Sequence, residues 1–208
     1  MDDTVVVTLF RHGLTEGNKR KAYMGWNDSP LCEEAVSKLS SYTLDAESYD
    51  MFLSSDLNRC LHTMKILFPT VEPDVVPEFR EMHFGEFQGL TYEDLKEDKN
   101  YQLWVKDPVA NIPPSGESFT QFTERVDKGW QNVIHQILEK NVRHPVIVTH
   151  GGVVKYLLSK YAPTEKDFWD WGITHGSGYE LTFSLDELRR GGRCISLREV
   201  PLTEKENG

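Results

Sequence analysis

Hydrophobic and polar positions divide the chain into short apolar runs and longer amphipathic stretches. Residues 4–10 (Thr4-Val5-Val6-Val7-Thr8-Leu9-Phe10) form a β-branched run, the pattern of a strand buried on both faces. A polar, Gly-containing stretch follows. Over 33–44, Ala35, Val36, Leu39 and Tyr42 recur at helical spacing, and 50–54 reads as a second strand. Leu57, Leu61, Met64 and Leu67 step by four, three and three, which predicts an amphipathic helix ended by Pro69 and Pro73. Residues 84–116 are aromatic, acidic and Pro-rich, and predict loops with a helix around 91–104. Ser118 followed by Gln121 fits a capping box. Phe122, Val126, Trp130, Val133, Ile134, Ile137 and Leu138 then mark the longest helix. Pro145-Val146-Ile147-Val148-Thr149 predicts a strand and 152–160 a helix. Segments 178–183 and 193–199 predict two strands around Gly191-Gly192.

Strands that alternate with helices predict one α/β domain, a three-layer α/β/α arrangement with a mostly parallel central sheet. The 208 residues suit one sizeable core, spanning 1–200, with 201–208 as a flexible tail. Ligands bind such sheets beyond the carboxyl ends of the strands. That rule selects Arg11-His12-Gly13 after the first strand, Ser54-Ser55-Asp56-Leu57-Asn58-Arg59 after the second, and His150-Gly151-Gly152 after the Val-rich strand. Two histidines and two arginines are thereby expected on one rim.

Composition narrows the partners. Acids outnumber bases 33 to 23, for a formal net charge of -10, which argues against nucleic acid as a general ligand. A small anion remains compatible, because a few converging arginines make a local positive pocket. No apolar run approaches the length of a membrane span, and the two acids ahead of the first apolar run make it a strand and not a signal peptide. Cys32, Cys60 and Cys194 are odd in number and far apart, so neither a disulfide framework nor a metal-ligand pair is expected, and a reducing cytoplasm is the simplest setting. A homodimer is compatible with the sequence, but no segment marks an interface.

A lone histidine at a strand end is usually structural. His12 has neighbours that favour chemistry. Gly13 permits close approach of a substrate, Arg11 offers a planar fork for phosphate oxygens, and a neutral imidazole has one lone pair to accept a phosphoryl group. His150 opens a helix whose first N–H groups and dipole favour an anion at Gly151. Arg59 is a second clamp if it converges on the same rim, or a surface residue partnered by Asp56 if it does not. A leaving oxygen also needs a proton, and Glu78, Glu81 and Glu86 are equal candidates on chemistry alone.

Five stretches, in order, resemble the histidine phosphatase superfamily, the phosphoglycerate-mutase-like proteins. They are Leu9-Phe10-Arg11-His12-Gly13 with Thr15 and Asn18; Gly25-Trp26-Asn27-Asp28-Ser29-Pro30-Leu31; Ser54-Ser55-Asp56-Leu57-Asn58-Arg59 with Thr63; Phe79-Arg80-Glu81-Met82-His83-Phe84-Gly85-Glu86-Phe87-Gln88-Gly89; and Val148-Thr149-His150-Gly151-Gly152. Residues 177–183 resemble the usual final core strand. The resemblance implies a phosphoglycerate-mutase-like fold and metal-independent phosphoryl transfer, without a cofactor, on a small phosphorylated metabolite. His12 would be the phosphorylated nucleophile, and Arg11, Arg59 and His150 would hold the phosphoryl oxygens. Glu81 would be the general acid. Thr15, Asn18, Met24, Gly25 and Gly151 would contribute substrate contacts.

The chain departs from the mutases of that family. Phe84, Tyr92 and Val105-Lys106 stand where the mutases carry Tyr, Lys and Arg-Arg, and the mutase insertion is missing. Fewer positive charges would hold a multiply charged intermediate less well, so transfer to water is expected. Tyr23-Met24-Gly25-Trp26 and the segment around Glu81 resemble the α-ribazole and broad-specificity phosphatases. Cys32 and Ala35 replace a common Thr or Asn and Gly, with local effects expected. Ser115 replaces a common Gly and is expected to stiffen a loop over the pocket. Trp104, Trp169 and Trp171 are either pocket-lining or ordinary aromatic residues.

Overall fold

The computed structural model describes residues 4–200, so the expected tail at 201–208 lies outside the described residues. Six strands form one sheet: β1 (Thr4–Arg11), β2 (Met51–Ser54), β3 (Asp74–Val75), β4 (Pro145–Thr149), β5 (Gly178–Ser184) and β6 (Ser196–Val200). Their order is β3-β2-β4-β1-β5-β6. The pairs β3–β2, β2–β4 and β4–β1 are parallel, and β5 runs antiparallel to both of its neighbours. The eight helices among the described residues are α1 (Glu16–Lys19), α2 (Glu33–Ser41), α3 (Asn58–Leu67), α4 (Tyr92–Leu95), α5 (Lys99–Lys106), α6 (Phe119–Lys140), α7 (Gly151–Tyr161) and α8 (Leu185–Arg190).

Alternation along the strands divides the core between two faces. Val5, Val7, Leu9, Ile147 and Leu181 pack with Trp130 and Val133 of α6 and with Val154 and Leu157 of α7. Phe10, Val146 and Val148 point the other way, onto Leu39 of α2 and Cys60, Met64 and Leu67 of α3. The fold is therefore the expected three-layer α/β/α. Burying each large apolar side chain contributes roughly 1.5–3 kcal/mol, and α6 alone buries Phe122, Val126, Trp130, Val133, Ile134 and Ile137. Its start is the expected capping box. Ser118 Oγ accepts from Gln121 N–H at 3.0 Å, and Gln121 Oε1 accepts from Ser118 N–H at 2.8 Å.

Local chemistry overrides the sequence reading in four places. The single helix expected over 91–104 is two, because Asp98 accepts from Tyr101 N–H and caps a new start. The 33–44 helix stops at Ser41, where Tyr42 turns to extended backbone. A helix, α8, fills the connection between the last two strands. Ser184 caps its start, and Gly191, at φ 66°, its end. Strand β3 has two exposed residues and no apolar run to reveal it. No helix among the described residues is long and apolar enough to cross a membrane.

Register determines where the chemistry gathers. Arg11 pairs with Thr149, and Ser54 pairs with Val148. The carboxyl ends of β1, β2 and β4 are therefore level, and the residues after them share one edge.

Candidate active site

His12 follows β1 directly, and its N–H donates to Thr149 O at 2.9 Å. Its Nδ1 lies 2.7 Å from Gly13 O. A carbonyl only accepts, so Nδ1 carries the proton and the lone pair resides on Nε2. The ring is 3% exposed. Burial first, then Arg59 and Arg11, holds its pKa well below the usual histidine value, so the imidazole is neutral. Gly13 also serves packing. A Cβ there would lie 2.8 Å from Leu39 Cδ1 and 3.3 Å from Leu31 Cδ2, so α2 occupies that side. Its N–H donates to Thr63 Oγ1 at 3.0 Å, and Thr63 donates to Arg59 O at 2.7 Å, which ties the segment that carries His12 to α3.

Arg59 is 2% exposed. Asp56 pairs with Arg80 and not with Arg59. Instead Arg59 donates to Gly25 O at 2.6 Å and Asn27 O at 2.9 Å. Arg11 donates to Ile173 O at 2.6 Å. Each guanidinium keeps a buried Nε–H without an acceptor, a costly arrangement that an anion would relieve. His150 is fully buried, with its ring 5.2 Å from that of His12. Its Nε2 lies 2.9 Å from Ser55 Oγ, and burial followed by Arg59 depresses its pKa strongly.

The expected binding residues divide into two groups. Thr15 uses its hydroxyl to cap α1 and to donate to Asn18 Oδ1 at 2.9 Å, which leaves Asn18 Nδ2 as a free donor. Thr15 is thus a support for Asn18. The carbonyls of Met24 and Gly25 are taken by Asn27 N–H and Arg59. Their expected backbone contacts therefore fall to their N–H groups, because the carbonyls serve the site's own framework.

Glu81 lines a cleft of about 320 Å³ together with Arg11, Gly151, Gly152 and Lys155. Its carboxylate accepts from Met82 N–H at 3.0 Å and Gly152 N–H at 3.1 Å. The other two acids point elsewhere. Glu78 faces Lys128 at 3.7 Å, and Glu86 accepts from Ser115 Oγ at 3.0 Å. Trp104 and Trp169 line the cleft. Trp171 does not, and Lys166 stands 4.7 Å from its ring centre. Ser115 sits at φ 58°, the conformation for which the usual glycine is suited. Glu16, Cys32 and Glu34 bring potential ligand atoms within 4.8 Å of one another, but none of them lines the cleft.

Three residues escaped the sequence reading. Arg125 donates to Glu78 O at 2.7 Å, Arg80 O at 3.0 Å and Glu81 O at 3.3 Å, and is paired with Glu117 at 2.5 Å. It fixes the segment that carries Glu81. Its signal was a charge three residues after Phe122, on the apolar stripe of α6. Lys155 lies one helical turn after Gly151 and so shares its face. His175 places its ring 5.5 Å from that of His12, with a buried Nε2 that has no partner. No local pattern marks it.

The histidine phosphatase superfamily (branch 1) matches residues 7–191. An adenosylcobalamin/alpha-ribazole phosphatase of Escherichia coli is 28% identical over 81% of this chain and 85% of its own length. A 2,3-bisphosphoglycerate-dependent phosphoglycerate mutase of Cytophaga hutchinsonii is 27% identical over 95% of this chain and 96% of its own. The solved alpha-ribazole phosphatase of Shigella flexneri superposes with a TM-score of 0.75 at 28% identity, covering 85% of this chain and 90% of that one. The chain belongs to branch 1 of the histidine phosphatase superfamily.

Proposed function

We propose that this protein is a metal-independent phosphomonoesterase for a small phosphorylated metabolite. The observation that carries the reading is the neutral His12, whose Nδ1 is tied to Gly13 O and whose Nε2 is left with the lone pair. In the first step Nε2 attacks phosphorus, the P–O bond to the alcohol breaks, and Glu81 gives a proton to the leaving oxygen. The guanidinium groups of Arg11 and Arg59, with His150 and Asn18 Nδ2, hold the phosphoryl oxygens. In the second step Glu81 takes a proton from water, the water oxygen attacks phosphorus, the N–P bond breaks, and phosphate leaves.

Likeness to the mutase over nearly the whole chain favours a second reading, transfer to another phosphorylated acceptor. The cleft argues for water. Beyond Arg11 its lining offers one cation, Lys155, and Phe84 faces it where the mutases carry a Tyr.

Hydrolysis of p-nitrophenyl phosphate in EDTA, beside a His12→Ala variant, tests both readings. Turnover lost with His12, together with an acid-labile phosphoenzyme in the wild type, supports the phosphatase. No turnover in the wild type overturns it. Transfer from bisphosphoglycerate to phosphoglycerate that outpaces hydrolysis makes the mutase the better reading.

A further inference from the structure

The walls of the cleft are two separate aromatic triads. Tyr23, Phe84 and Trp104 contact one another, with ring centres 5.5–5.7 Å apart. Phe119, Phe168 and Trp169 form the other triad, with centres 4.6–5.9 Å apart. All six line the cleft. Among the described residues no ring pair bridges the triads, so they stand as separate parts of the lining.

One cation in this aromatic lining has an unmet need. Lys155 forms no ion pair among the described residues, and its Nζ stands 5.8 Å from the Phe168 ring centre. An unpaired cation beside an aromatic ring favours an anion. Trp169 is 54% exposed, and its apolar surface is free to cover an incoming ring.

We infer that the site selects phosphomonoesters that carry a flat aromatic ring with an anionic substituent. The ring lies between the two triads, and the substituent is met by Lys155. This rests on the phosphatase reading for the reaction but makes its own claim about the part of the substrate that does not react. The phosphate end is fixed by Arg11, Arg59 and His150 whatever the alcohol, so discrimination falls to the cleft.

Non-hydrolysable phosphonates separate the two claims, because they measure binding without turnover. Calorimetry on the full chain would compare pentylphosphonate, 3-phenylpropylphosphonate and 4-(3-phosphonopropyl)benzoate. The expected order is rising affinity, by about ten-fold for the ring and about five-fold more for the carboxylate, as stacking and one charge-assisted contact supply. Trp169→Ala should remove most of the first gain and keep the second. Lys155→Met should remove the second and keep the first. Equal affinity for the first two probes, or weaker binding of the carboxylate than of the plain ring, would overturn the inference. The corresponding phosphate esters read the reaction: if none is hydrolysed in a His12-dependent way while the binding order holds, the phosphatase reading fails and the binding preference stands.

Discussion

Gly152 donates its N–H to Glu81 Oε2 at 3.1 Å, and a Cβ at residue 152 would overlap Glu81 Oε1. Gly151 has the matching relationship with Arg11, where a Cβ would lie 3.1 Å from the guanidinium carbon. The two glycines that open α7 thus make room for the side chains of Glu81 and Arg11. Gly152→Ala should displace Glu81 and lower kcat by about 100-fold, the scale of a misplacement near 1 Å. Gly151→Ala should act on phosphate affinity through Arg11, raising KM by a larger factor than it lowers kcat. Steady-state kinetics with calorimetric phosphate binding checks both. Equal effects of the two on kcat and KM would contradict the separation.

Arg125 holds the carbonyls of Glu78, Arg80 and Glu81 with a planar fork that lysine lacks. Arg125→Lys should keep the charge and lose the geometry, so kcat should fall by about ten-fold while phosphate affinity changes little. Retention of full kcat in the lysine variant would show that charge alone suffices.

Two buried histidines and the half-buried His175 make stability depend on pH. Burial and the arginines hold His12 and His150 well below the usual value, and His175 is pushed down to about 3 by burial and then by Arg11. The folded chain keeps them neutral, while the unfolded chain protonates them below about 6.5. Their contribution is therefore complete above that pH and is lost as pH falls below it, at up to about 1.4 kcal/mol per pH unit for each histidine. Urea denaturation at pH 6.5, 5.5 and 4.5 should show falling stability. His175→Asn should flatten the slope by about one proton. An unchanged slope would mean that His175 is protonated in the fold. For the same reason the acid limb of kcat/KM should not show an ordinary histidine pKa.

Ser115 occupies a left-handed conformation, at φ 58°, that costs a side-chain-bearing residue about 1 kcal/mol. Its bond to Glu86 is exposed and returns little. Ser115→Gly should raise Tm by about 2–4 °C. A fall in Tm by thermal denaturation would show that the loop depends on the serine hydroxyl.

Much of the site was legible in order along the chain. Strand-end positions placed Arg11, His12 and His150, and the motifs added Arg59 and Glu81. Chemistry alone left Glu78, Glu81 and Glu86 equal, and only the packing against α7 brought Glu81 to the cleft. Thr15, Met24 and Gly25 lie in the expected neighbourhood, where the Thr15 hydroxyl and the carbonyls of Met24 and Gly25 are spent on the framework.

By itself the sequence determined the alternation of strands and helices, the capping of α6 and the residues delivered at each strand end. These depend on periodicity and on contacts within a few residues. Tertiary structure alone decided that Arg59 is buried against Gly25 and Asn27, that Arg125 binds the backbone around Glu81, and that His175 faces His12. These contacts join residues 32 to 163 positions apart in the chain. No local pattern encodes such a separation, because sheet order and helix docking, not neighbouring residues, set the distance.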